Sequence, residues 1–183
     1  MAGSDTEAGV KVLRIRDARS SDRGVIEAVT LAAYEEYAAL MPAHWEGYRQ
    51  NILATLAAAQ PDAQIAAEEE GRVVGSVLLY PAGGVMARPG GGSITLADPE
   101  VRLLAVAPAA RGRGAGVTLM HECIRRARQS GATALTLHTT DIMQAAMRLY
   151  ERLGFRRAPE LDMQPAPDVT IRGYRLGLEA AAS

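Results

Sequence analysis

Between an apolar, strand-like run, Val101-Arg102-Leu103-Leu104-Ala105-Val106, and an amphipathic stretch opening at Val117, the chain places Arg111-Gly112-Arg113-Gly114-Ala115-Gly116. Strand, glycine turn and helix in that order leave few folds open. Glycines lack a Cβ, so the chain can turn sharply and several backbone N–H groups can converge on one anion. The first turn of the following helix adds partial positive charge. The turn therefore reads as a phosphate cradle, the plain alternative being a turn that starts a helix and binds nothing.

Spacing separates the candidate phosphates. A P-loop ends in Gly-Lys-Ser or Gly-Lys-Thr; here the turn continues Ala115-Gly116-Val117-Thr118, without lysine. A dinucleotide fingerprint reads G-x-G-x-x-G with an acidic residue about twenty residues on. This chain reads G-x-G-x-G and offers no carboxylate near Leu135 until Asp141. What remains is R-x-x-G-x-G, filled by Arg111, Gly114 and Gly116, after a strand that Pro108 stops. Further on, Ala146-Met147-Arg148-Leu149-Tyr150-Glu151-Arg152-Leu153-Gly154-Phe155 is a short helical segment that carries a tyrosine and ends at Gly-Phe. In this order the two segments resemble the signatures of the GCN5-related N-acetyltransferases (GNAT), which bind acetyl-coenzyme A. The resemblance runs from Leu13 to Leu178 and is sharpest from Glu100 to Phe155.

Composition allows such a protein and disfavours others. A chain of 183 residues can bury a sizeable core in one domain. With 48% hydrophobic and 22% charged residues it is globular in type, and no apolar run approaches a membrane span. Residues 1–10 are polar, lack the regions of a secretory signal and read as a flexible tail before a single domain over 11–183, with a cytoplasmic location expected by default. A formal charge of -1 argues against a nucleic-acid surface. Cys123, the single cysteine, lies among Val117, Met120, Ile124 and Ala127 and reads as a buried thiol. His44, His121 and His138 show no ligand-like spacing, so no metal site is expected.

Periodicity orders the elements. Val12 to Arg16 reads as a strand, Ser20-Ser21-Asp22 as the cap of a helix through Val25, Ile26, Val29 and Ala33, and Trp45 to Ala59 as a second helix. Gln64 to Glu69 and Val73 to Tyr80 read as a hairpin around Gly71. Pro81 to Asp98, rich in glycine, reads as a long loop or a weak strand extension. A helix over Val117 to Ser130 ends at Gly131, followed by a strand over Ala134 to Thr139, a helix over Ala145 to Leu153, and final strands from Phe155 and over Val169 to Leu178. The class is α/β with a mixed central sheet flanked by helices, since a wholly parallel sheet cannot accommodate the hairpins. The resemblance implies the same acyl-coenzyme A N-acyltransferase fold.

The resemblance also implies roles. The backbone of Arg111, Gly112, Arg113, Gly114, Ala115 and Gly116 would hold the pyrophosphate, with Arg111 or Arg113 adding charge. The pantetheine arm would follow Leu104, Ala105 and Val106, and the Val106 N–H would face the thioester oxygen. Tyr150 would return a proton to the leaving thiolate, or else serve as an aromatic anchor. Glu100 would take the amine proton, often through water, or else be a solvated residue ahead of its strand; Asp98 is a weaker alternative. His138 is either a proton acceptor or a histidine satisfied by the backbone. Many relatives carry an asparagine where this chain has Met143, whose thioether cannot donate, so that role would pass to Thr139, Thr140 or Asp141, or be lost. Tyr34, Tyr37, Trp45 and Tyr48 either wall an acceptor pocket or pack the core. The function so implied is transfer of acetyl from acetyl-coenzyme A to a small-molecule or peptide amine by direct attack. The alternative is a catalytically inactive acyl-coenzyme A-binding sensor or interaction module of the same fold; a nucleotide-binding α/β protein is more distant. Homodimers are common in the family, and no nucleic-acid or membrane partner is implied.

Overall fold

The computed structural model describes residues 12–60, 63–87 and 91–178. The expected tail over 1–10 lies outside the described residues. Strand β1 (Leu13–Asp17) leads through a 3-10 turn into α1 (Arg23–Tyr34). The Ser20–Asp22 segment forms this turn rather than a simple cap, because Asp22 has two stronger partners. Its carboxylate accepts from the Arg19 N–H at 2.7 Å and from the Arg16 guanidinium at 2.6 and 3.2 Å, and Arg16 also donates to Glu68 at 2.8 Å. Arg16 holds Asp22 below the usual carboxylate range despite burial. A 3-10 segment (Glu35–Leu40) joins α1 to α2 (Trp45–Ala58).

Strands β2 (Gln64–Glu69) and β3 (Arg72–Tyr80) form the expected hairpin. Its two turn residues, Glu70 (φ 51°) and Gly71 (φ 78°), both take left-handed backbone, the geometry that matches strand twist in a two-residue hairpin. The stretch over Pro81 to Asp98, read as a long loop or a weak strand extension, contains a small separate hairpin, β4 (Val85–Ala87) with β5 (Ser93–Thr95). It is anchored by Gly83 N–H to Leu96 carbonyl at 2.8 Å and Leu96 N–H to Gly84 carbonyl at 2.9 Å. The short apolar runs were visible, but their pairing depends on contacts across the glycines.

Strand β6 (Glu100–Val106), helix α3 (Ala115–Gln129), strand β7 (Ala134–Thr139), helix α4 (Gln144–Arg152) and strands β8 (Arg156–Arg157), β9 (Met163–Ala166) and β10 (Val169–Gly177) complete the chain. The main sheet runs β1-β2-β3-β6-β7-β10-β8, with β9 on β10; every pairing is antiparallel except β6 with β7. Alternation along β2 sorts the faces: Ile65 and Ala67 join the core under α3 with Leu119, Met120 and Cys123, whereas Ala66 packs with Ile26 of α1 and Leu56 of α2. Helix α3 begins at Ala115, two residues before the expected Val117, because Gly114 takes the N-cap with φ 87°. Cys123 is wholly buried in that core, and burial pushes its thiol up to about 12.

Gly173 of β10 admits no side chain: a Cβ would lie 2.4 Å from Leu161 Cβ and 3.0 Å from the Ala158 carbonyl. Gly173→Ala is expected to destabilise the fold by about 1–3 kcal/mol through overpacking. Thermal unfolding should show it as a Tm lowered by roughly 2–12 °C.

Candidate active site

β6 and β7 run parallel but pair only at Glu100 with Thr136 and Val101 with Leu137. Past that point they part. The cause lies in β6, where Leu103 has φ 49° and the register against β3 shifts between Arg102, opposite Leu78, and Ala105, opposite Ser76. Leu103 and Leu104 thus stand where β3 has only Val77, and such a bulge bends its strand. Gly75 lets β3 follow the bend, since a Cβ there would lie 2.8 Å from the Ala105 carbonyl. The backbone from Leu104 to Val106 is left facing a cavity of about 890 Å³.

The glycine turn forms one end of this cavity. Gly112 (φ 76°) and Gly114 (φ 87°) take conformations that favour glycine. At Gly116 a Cβ would make only ordinary contacts, 3.6 Å to Leu149 and 3.7 Å to Val106. Packing within the protein does not demand glycine there. The arginine side chains differ from expectation. Arg111 donates to Glu36 at 2.7 Å and to the Ala33 carbonyl at 3.1 Å, and Arg113 to Glu69 at 2.7 Å and the Ala109 carbonyl at 2.8 Å. Each guanidinium clamps the turn to the body of the fold.

Glu100 is the first residue of β6 and is 3% exposed, which removes the reading of a solvated side chain ahead of the strand. Its Oε1 lies 3.2 Å from His138 Nδ1, and His138 Nε2 lies 2.9 Å from the Leu161 carbonyl. A carbonyl only accepts, so Nε2 carries hydrogen. The contact on the other side then requires one more proton, resident on His138 or on Glu100. Burial weighs most heavily on His138 and favours the neutral ring, but the Glu100 carboxylate and the Leu161 carbonyl override it and raise its pKa above the usual value. Both readings of His138 therefore meet in one residue, backbone-bonded on one nitrogen and paired with an acid on the other. Sequence pattern missed the pair because 38 residues separate its members.

The Leu161 carbonyl is itself positioned from afar. Arg157 pairs with Asp162 at 2.8 Å, Asp162 accepts from the Gly173 N–H at 2.8 Å, and the Ala158 N–H donates to the Gly173 carbonyl at 3.0 Å.

Tyr150 of α4 lines the cavity, is 7% exposed and tilts against Phe155 at 6.0 Å. Burial pushes its phenol far above the ordinary value, so it stays protonated. Among the buried side chains, the hydroxyls of Thr139 and Thr140 have no hydrogen-bond partner, and both residues line the same cavity. Met143 lines it too, whereas Asp141 is tied to Arg172. Orphaned hydroxyls beside the bulged strand fit a bound group with amides to pair. On the other side Tyr34, Tyr37 and Tyr48 line the cavity as an edge-packed cluster, with Tyr34 donating to the Leu104 carbonyl at 3.4 Å; Trp45 buttresses Tyr48 from behind.

Known proteins agree with this architecture. Residues 30–155, more than half of the chain, match the Acetyltransferase (GNAT) family. The chain is 32% identical over 105 residues to an uncharacterized N-acetyltransferase of Schizosaccharomyces pombe, covering 57% of this chain and 58% of that protein. It is 37% identical over 121 residues to the probable N-acetyltransferase camello of Xenopus tropicalis, covering 62% and 49%. The chain thus spans about half of each relative's length. A GNAT family acetyltransferase from Brucella melitensis, solved in complex with acetyl-CoA, shares the fold with a TM-score of 0.59 and 23% identity over 95% of this chain and 93% of that one. The chain belongs to the GNAT acetyltransferase family.

A raised histidine pKa adds stability below the unfolded value, about 6.5, and loses it as pH rises through the folded value. His138→Gln should therefore lower Tm more at pH 6 than at pH 9, as measured by thermal unfolding across that range.

Proposed function

We propose that this protein is an acetyl-coenzyme A-dependent N-acetyltransferase that promotes direct attack of a primary amine on the thioester, without an acyl-enzyme. One observation carries the reading: the gap opened by the β6 bulge holds, in a single cavity, the glycine turn, the free strand backbone, an acid–histidine pair and a buried phenol.

Acetyl-coenzyme A would bring an acetyl group activated as a thioester. Backbone N–H groups of the turn over 111–116 would take its diphosphate, and the unpaired hydroxyls of Thr139 and Thr140 would meet its amide arm in place of the asparagine absent at Met143. The Val106 N–H would face the carbonyl oxygen as negative charge develops there. As the C–N bond forms and the C–S bond breaks, the amine gives up one proton and the sulfur needs one. Glu100 and His138 receive the first when their shared proton has already left at higher pH. Tyr150 supplies the second: burial that raises the phenol also disfavours a bare thiolate beside it. Cys123 lies in the core and takes no part.

Tyr150→Phe should lower kcat by about 10²–10⁴-fold while calorimetric binding of coenzyme A persists, and Glu100→Gln should act in the same direction. In the wild type, kcat/KM should climb with pH through the raised His138 value, and that limb should move to lower pH in Glu100→Gln. Absence of thiol release from acetyl-coenzyme A with every amine tried would favour the non-catalytic sensor.

A further inference from the structure

Arg102 has no ion-pair partner among the described residues. It sits on β6 two residues after Glu100, on the face opposite Val101, which packs under α3. Residues two apart on a strand share a face, about 6.8 Å apart. Arg102 lines the cavity and is half-buried. Its charge reaches the hydroxyls of Tyr34, Tyr48 and Tyr80, countering the effect of burial on each, and reaches His138 as well. Yet among the described residues no carboxylate or carbonyl accepts from its guanidinium. The two acids that line the cavity are committed, Glu100 to His138 and Glu36 to Arg111.

The diphosphate cradle cannot be its partner. Four residues of strand, about 13 Å, separate Arg102 from Val106, and the turn lies beyond. Arg102 stands at the other end, where the amine must approach Glu100. An unpaired cation there repels a purely cationic amine and offers a planar, two-pronged site to a carboxylate.

We propose that Arg102 binds a carboxylate of the acceptor, making the substrate a small amino acid, a free amine and a free carboxylate in one molecule, rather than a polyamine. This rests on the acetyl-transfer reading above and assigns Arg102 the part of a specificity-determining residue. The amine then lies toward Glu100, the carboxylate between Arg102 and the tyrosines.

The test compares free amino acids and diamino acids with their carboxamides and with spermidine, following thiol release from acetyl-coenzyme A. Wild type should favour acids over matched amides by about tenfold or more in kcat/KM. Arg102→Met should erase that preference, mainly through KM, and Arg102→Lys should restore part of it. Calorimetry with the N-acetyl amino acids, in the presence of coenzyme A, reads the site without turnover: binding in wild type and its loss in Arg102→Met support the proposal even if no amine is acetylated. Equal or better use of amides or spermidine, a uniform loss across all acceptors in Arg102→Met, or no binding of any N-acetyl amino acid would overturn it.

Discussion

The parting of β6 from β7 is the constraint on which the site depends. Two parallel strands that stayed paired would use up their backbone groups on each other and leave no room between them. The extra residue at Leu103 and Leu104 prevents this after two paired positions, at the cost of a non-glycine residue in left-handed backbone. β3 pairs with β6 on both sides of the bulge, so the bend is held from its other edge and does not unravel the sheet. The strand that opens the gap is central in the sheet.

Electrostatics follow from the same geometry. Glu100 enters the sheet as a buried acid, and a buried carboxylate needs a partner. His138 supplies it from β7, the strand across the gap, while the Leu161 carbonyl fixes which ring nitrogen faces the acid. A turn at Pro159–Leu161, braced by Arg157, Asp162 and Gly173, therefore acts on proton placement in the site without touching the cavity floor. At the opposite end of the sheet the Arg16, Asp22 and Glu68 cluster locks α1 to β1 and β2, and α1 carries Tyr34 to the cavity wall.

Much of this was legible in the residues. Periodicity located the helices and, β9 excepted, the strands of the main sheet, and the spacing of Arg111, Gly114 and Gly116 located the turn, because these patterns are local. The hairpin of Val85–Ala87 with Ser93–Thr95 escaped because strands of three residues are too short to show a periodicity. The arginines of the turn were legible as charges but not as clamps, since Glu36 and Glu69 lie on distant elements. Glu100 could be placed beside a strand but not inside a buried pair.

The order of strand, glycine turn and helix, with the tyrosine segment downstream, determined by sequence alone the class of fold and the place where a diphosphate could sit, since these depend on backbone freedom and short-range spacing. Only the tertiary structure decided that Glu100 is buried against His138, that the cavity-lining residues Thr139 and Thr140 have buried hydroxyls without a partner, and that Arg102 lines the same cavity with no carboxylate paired to it among the described residues. Burial and charge pairing are sums over neighbours far apart in the chain, and no local pattern encodes them.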